Sequence, residues 1–380
     1  MGSLGGAYLA ALLIGVLQAF GIVLVPKITL VLVFLVMAVV LVLRPHGLLG
    51  RPLAAARGES ETISPIRPAV PALRWLGGGV LVLAAAAPFL VGPGLLAVLT
   101  EALVAMLFAA SLHFMMGPGG MASFGHAAWF GIGAYGAALA ARALAGPMVL
   151  GLLIAPLLAG VVAALLGWFV VRMSGVYLAM LTLAFAQIVW AVMFQWVDIT
   201  GGDNGVLGVW PDGWAADKRV FYWLALGLCV AASLLLRRAL YAPFGFALRA
   251  TRDSPLRAAA IGLDATRLRL AAFSIAGAAA GLAGGLFAYA KGSVFPTYVA
   301  ISHSVDALVA VLLGGVQTMA GPVVGALGYT LLHAWLLTTE LWRIKLGGFI
   351  VLLVLFFPTG IAGAAALAWT RLQAKRGRAA

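Results

Sequence analysis

Apolar runs of about twenty residues follow one another along almost the whole chain, and that recurrence leaves little choice of fold. Such a run crosses a bilayer as a helix, because hydrocarbon offers its backbone N–H and C=O groups no partner. Charged residues are 9% of the chain and hydrophobic ones 64%, whereas a soluble domain carries about 25% charged residues. The chain therefore reads as an all-α polytopic membrane protein with about twelve transmembrane helices. They are expected near 8–25, 28–43, 76–91, 95–115, 121–142, 148–171, 176–197, 220–236, 270–290, 305–316, 322–340 and 346–360.

Charge then orients the spans. Arg44, Arg51, Arg57, Arg67 and Arg74 outweigh Glu59 and Glu61, and the stretch 237–269 is rich in arginine. The tail holds Arg371, Lys375, Arg376 and Arg378. In 198–219, Asp198, Asp203, Asp212 and Asp217 face only Lys218 and Arg219. The positive-inside rule places the basic regions and both termini in the cytoplasm, and the acidic loop outside. The net charge of +13 lies between apolar runs, so it points to a membrane and not to nucleic acid. The first apolar run lacks the basic leader of a secretory signal and reads as retained. Cys229, the single cysteine, lies in an apolar run and marks no redox chemistry.

Residues 51–75 have a linker's prolines and charges, which separate an N-terminal two-helix hairpin, 1–50, from a core at 76–366 and a basic tail at 367–380. Residues 1–50 and 316–363 read as copies of one hairpin. Each runs through two helices to a Pro-x-Gly ending, Pro45-His46-Gly47 and Pro358-Thr359-Gly360.

Two apolar segments are broken: one at Gly117-Pro118, the other at Gly314-Gly315 and Gly321-Pro322. Such breaks, one in each half, are the sequence pointer to a solute site at mid-membrane. After the first, Ser123 is placed to cap a helix with His126 a turn inside it, either bordering the solute path or bonding a neighbouring helix. Gly131, Gly133 and Gly136 strip that helix of bulk, so other helices can approach closely. Thr182 and Gln187 are the interior polar residues of the helix that follows Ser174; threonine often bonds its own carbonyl, so Gln187 is the better path candidate. Gly277, Gly281 and Gly285 form a four-residue small-residue seam of structural character.

Between two spans, 241–264 contains its own capped helix, 255–261. Asp253 or Ser254 caps it, Pro255 occupies the first turn and Gly262 the C′ position. With Arg249, Arg252 and Arg257 around it, it reads as a docking surface for a cytoplasmic partner or as a helix lying on lipid headgroups. The chain has no G-x-x-x-x-G-K-[ST] loop, no metal-ligand spacing and no nucleophile elbow, so neither an enzyme nor a metal site is expected. Glu101, Asp306 and Glu340 fall near the ends of the expected helices, which argues against a buried proton relay.

Five motifs in order resemble the LivM-type permease of branched-chain amino-acid ABC importers. They are Ser123-Phe124-Gly125-His126-Ala127-Ala128 to Gly136, the Ser174–Gln187 run, Thr200–Gly205, Pro243-Phe244-Gly245 with Leu248-Arg249-Ala250, and Leu313-Gly314-Gly315 to Gly321-Pro322. Gln317 departs from the pattern, which commonly has glycine there. The resemblance implies an ABC importer permease fold in a bacterial inner membrane. It implies a LivH-type permease as heterodimer partner, two cytoplasmic ATP-binding subunits and a periplasmic solute-binding protein. ATP would be bound by the partners, with no cofactor in this chain. Pro243, Arg249, Arg252, Pro255 and Gly262 then belong to the ATPase-docking segment, and Ser123, His126, Thr182 and Gln187 to the solute path.

Residues 1–50 look instead like the C-terminal end of the sister LivH-type permease. The chain thus reads as part of a LivH–LivM fusion, with Met1 internal to a longer frame. A permease for urea or short amides, or an ion-coupled secondary transporter, is the alternative reading.

Overall fold

The computed structural model describes residues 4–24, 29–44, 47, 49, 71–143, 146–356 and 359–364. Most of the linker, the tail, and Pro45, His46 and Pro358 of the hairpin endings lie outside the described residues. Helices α1 (Leu4–Leu24) and α2 (Thr29–Leu43) precede the linker, and α3 (Pro71–Leu90) and α4 (Pro93–Met116) follow it. Next come α5 (His126–Ala143), α6 (Met148–Val170), α7 (Gly175–Gln195) and the single turn α8 (Val197–Thr200). The chain continues through α9 (Lys218–Tyr241), α10 (Pro243–Asp253), α11 (Pro255–Ala260) and α12 (Ala265–Lys291). It closes with α13 (Ile301–Gly314), α14 (Gly321–Leu336) and α15 (Trp342–Phe356).

Side-chain size is sorted as a bilayer requires. On α6, Leu153, Leu157, Val161 and Leu165 are exposed, while Ala155, Ala159 and Ala163 are fully buried. Large apolar groups face outward and small ones face the neighbouring helices, because lipid is as apolar as leucine and close backbone approach drives association. Leu4–Val23, Pro93–Met116, Met148–Val170, Gly175–Gln195, Lys218–Tyr241 and Ala265–Lys291 are long and apolar enough to cross a membrane. Thr29–Leu43, Gly77–Leu90 and Ile301–Gly314 are shorter apolar helices.

Helix α5 is the centre of the molecule, buried without interruption from His126 to Ala138. It packs against α6 and α12, which also pack on each other. Glycine sets how close they come. A Cβ on Gly133 would overlap the Gly281 carbonyl of α12, and one on Gly284 would overlap the Phe130 carbonyl of α5. On the side facing α6, Gly277, Gly281 and Gly285 lie against Ala163, Ala159 and Ala155. The seam expected from sequence is therefore real, and Gly284 adds a second face to it.

The two ends of the bundle differ. At one, strand β1 (Val206–Leu207) pairs antiparallel with β2 (Ser293–Val294), in register Val206 to Val294. At the other lie α10 and α11. The 27 residues of α12 join these ends, a span of about 40 Å.

Each expected span overlaps a described helix, but the boundaries move. The helix expected at 121–142 begins only at His126. Residues 121–125 are outside any helix, with a bend at Phe124 whose N–H donates to Thr182 Oγ1 of α7. The helix expected at 76–91 begins already at Pro71. Helix α10 was not foreseen; the only helix expected in this segment was 255–261. Pro243 takes the first helical position, where its missing N–H costs nothing. Gly245 is required there because a Cβ would overlap the Leu240 carbonyl at the end of α9.

Candidate functional site

The first break runs from Gly117 to Gly125, between α4 and α5. Most of its backbone is buried, so its polar groups need partners. Partners come from α7 and α10. Phe124 N–H donates to Thr182 Oγ1 of α7 at 3.3 Å, and the Thr182 hydroxyl donates back to Ala179 O at 2.8 Å. The Gly117 carbonyl accepts from Arg252 Nη1 of α10 at 2.6 Å.

Ser123 does not cap α5. Its hydroxyl accepts from Gly125 N–H at 3.3 Å, a bond local to the break. The cap is supplied by α13, where Ser304 Oγ accepts from Ala127 N–H at 2.8 Å. No sequence pattern links residues 177 positions apart, so this cap escaped the sequence reading.

His126 is the first residue of α5, not one turn in, and is fully buried. Ser111 Oγ donates to Phe108 O at 2.7 Å, which leaves its lone pairs to accept from His126 Nε2–H at 2.8 Å. Nδ1 of His126 has no hydrogen-bond partner among the described residues. Gln187 is half-buried on α7, and its side chain makes no hydrogen bond to another described residue.

The second break, Gly315–Ala320, lies directly on the first. His113 Nε2 donates to the Val316 carbonyl at 2.7 Å, and a Cβ on Gly117 would come within 3.2 Å of that same oxygen. Gly314 ends α13, and Gly321 and Pro322 start α14. Cβ atoms on Gly314 or Gly321 would overlap the backbone across the turn, so only glycine lets α13 fold back onto α14 so tightly. Pro118 is buried in the first turn. The sequence pointed to two breaks; the structure makes them one hub.

The expected docking residues divide into two groups. Arg249 Nη2 caps the end of α9 at Leu240 O (3.0 Å), its Nε bonds Gly245 O (3.1 Å), and its guanidinium lies over the Phe246 ring. Arg252 is engaged by Gly117 O and by Asp253 at 2.7 Å. Both are committed within the chain. Ser254 is the N-cap of α11, accepting from Arg257 N–H, Pro255 follows at the first position, and Gly262 has φ +83°. The expected helix 255–261 is thus present as Pro255–Ala260, with Leu256 86% and Ile261 74% exposed. At α7, Ser174 holds the N-cap position without a side-chain bond.

The expected placing of the acids also fails. Glu101 lies two turns into α4 and Asp306 well inside α13, and only Glu340 lies in an exposed turn. The windows expected near 95–115 and 305–316 started late, which made both acids look terminal. Glu101 and Asp306 line a cavity of about 190 Å³ with His303, Tyr329 and His333. Tyr329 Oη donates to Asp306 Oδ1 at 2.6 Å. Phe108 joins this cavity to the hub, stacking on His303 at 5.1 Å and on His126 at 5.3 Å between ring centres. Polar residues at i, i+3 (His303, Asp306) and i, i+4 (Tyr329, His333) were the available signal.

A model of the branched-chain amino acid transport system permease component matches residues 94–359, which include both breaks, α10, α11 and the cavity. The chain belongs to that family. The high-affinity branched-chain amino acid transport system permease protein LivM of Escherichia coli K12 is 31% identical over 330 residues, 78% of this chain and 75% of that protein. A probable LivM of Methanocaldococcus jannaschii is 27% identical, covering 57% of this chain and 68% of that protein. The sister permease LivH of Escherichia coli K12 is 28% identical over 144 residues, 37% of this chain and 46% of its own. No solved structure matches this chain. As a member of this permease family with six long apolar helices among the described residues, the chain is a multi-pass membrane protein.

Proposed function

We propose that this chain is the transmembrane permease subunit of an ATP-driven importer for branched-chain amino acids. It pairs with a LivH-type permease, two cytoplasmic ATPases and a periplasmic binding protein in a bacterial inner membrane. The observation that carries this is the Arg252–Gly117 bond. It ties a short non-spanning helix to the first break, and the first break lies on the second, so force on α10 reaches both at once.

In this reading the α10–α11 end is cytoplasmic and the β1–β2 end periplasmic. Twelve spans put both termini inside. Leu256 and Arg257 of α11 and Ile261 just after it, all exposed, meet the ATPase, while Arg249 and Arg252 stiffen the lever behind them. Ser123, His126 and Thr182 hold the hub that moves, and Gln187 faces the path or the sister subunit. Residues 1–50 act as the end of a sister permease carried in cis.

Uptake of leucine into vesicles holding the assembled transporter tests the proposal. Uptake should require ATP inside and fall when ATP is depleted. Recovery of the chain without any ATPase, with uptake indifferent to ATP, overturns it. Asp306 favours a second reading, ion-coupled transport, because an acid inside a helix could carry a coupling ion. That reading instead requires uptake to collapse with the proton or sodium gradient while ATP is held constant.

A further inference from the structure

The cavity between α4, α13 and α14 has features that the lever and the breaks do not use. Its charge is unbalanced. Glu101 receives Lys291 Nζ at the rim, which neutralises it. Asp306 receives only the Tyr329 hydroxyl and has no cation within salt-bridge distance among the described residues. A carboxylate inside a membrane protein's helix bundle without a counter-ion is costly, so it marks a place where a cation is received. A neutral donor such as tyrosine orients the carboxylate but leaves its charge in place.

The walls agree with that charge. Phe108, Phe130 and Phe287 form a contiguous aromatic face, with ring centres 4.8 Å and 5.5 Å apart. Aromatic faces attract cations, and more strongly where water is excluded. Lys291 already lies over Phe287 at 5.5 Å. His303 lines the same space, and its Nε2 is shielded from solvent with no hydrogen-bond partner among the described residues. A buried polar atom left unpaired points to a ligand that completes it. Ala307, Ala310 and Ala326, small and apolar, also line it.

We propose that this cavity binds the ammonium group of the amino acid in transit, with Asp306 as its counter-ion. The alanine wall receives the solute's aliphatic side chain, and His303 Nε2 pairs with its remaining polar atoms. The Lys291–Glu101 pair sits at the mouth, opposite the α10–α11 end along α12. The permease then selects for an amine next to an apolar body. The inference rests on the importer reading and adds a site to it.

The test uses the full chain with Thr330→Cys, a cavity-lining position, since the only native cysteine, Cys229, is buried. A cationic ethylammonium thiosulfonate should label this cysteine about tenfold or more faster than an anionic ethylsulfonate one, the scale of one desolvated charge pair. Leucine should slow labelling by the cationic reagent. Adding Asp306→Asn should remove both effects, and Asp306→Glu should keep them. If the asparagine variant does not accumulate, Ala326→Leu, which fills the cavity, must abolish leucine protection. Equal labelling rates for the two reagents, or no protection by leucine, overturn the site. Leucine protection without ATP-driven uptake overturns the importer reading alone. ATP-driven uptake that Asp306→Asn leaves within about twofold overturns the site alone.

Discussion

Arg252 of α10 donates to the carbonyl of Gly117, 135 residues earlier in the chain, at 2.6 Å. That carbonyl ends α4 at the first break, and the arginine stem packs where a side chain on Gly120 would stand, 2.6 Å from its Cγ. The side chain is 17% exposed, so it is sheltered from competing water. The bond is a mechanical joint, because neither end can shift along the bundle axis without breaking it or taking the other along.

Arg252→Ala removes a charged donor from a buried carbonyl, at a cost of about 1.5–3 kcal/mol. The thermal midpoint in detergent should fall by several degrees. Transport should fall further than this stability loss explains, with ATP hydrolysis retained but no longer producing uptake. Arg252→Lys, which keeps charge but loses the fork, should recover part of both. Parallel measurement of uptake and hydrolysis in one preparation checks this.

Ser304→Ala leaves Ala127 N–H without its acceptor in a fully buried setting. A lost N-terminal cap costs about 0.5–2 kcal/mol. Ser304→Thr keeps the oxygen and should restore most of the loss. Thermal unfolding of the three proteins side by side decides it; equal midpoints for serine and alanine would mean that α5 does not depend on α13 for its start.

Much of this was legible in the sequence because membrane helices announce themselves by length and apolarity. The two breaks were legible for the same reason, since Gly117-Pro118 and Gly314-Gly315 interrupt runs that otherwise continue. What a sequence does not display is which distant groups satisfy a broken backbone. Ser304 looks like an ordinary helix serine, and Arg252 looks like one more positive charge on a cytoplasmic loop. Asp306 was misjudged for a different reason. Shifting a boundary by four residues turned an acid well within α13 into one near its end. The cavity depends on α4, α13 and α14 packing together, which no local pattern encodes.

The exposed tip of α11 gives a contrasting pair of variants. Leu256→Ser and Arg257→Glu alter groups that make few contacts within the chain, so the thermal midpoint should stay within about 0.5 kcal/mol of the parent in stability terms. Both should weaken co-purification of an ATPase subunit, Arg257→Glu in a salt-dependent way. Unchanged recovery of the ATPase with both variants would place docking elsewhere on the α10–α11 end.

Two glycines in helices separate packing from propensity. Gly284 of α12 faces the Phe130 carbonyl of α5 so closely that a Cβ there would overlap it, and both atoms belong to backbone that no side-chain rotation can clear. Gly227 of α9 has nothing within 4 Å of the same position. On helix propensity alone, replacing either by alanine would stabilise the helix by about 1 kcal/mol. Gly227→Ala should therefore be neutral or slightly stabilising. Gly284→Ala must push α5 and α12 apart, at the upper end of the about 1–3 kcal/mol that overpacking costs. The displacement should not stay local. Moving α5 also strains the Ser304 cap and the Ser111–His126 bond at its first turn, so Gly284→Ala should lower both thermal midpoint and transport. If Gly227→Ala and Gly284→Ala melt alike, the small-residue seam does not hold α5 in place, and the hub must draw its rigidity from the polar contacts alone.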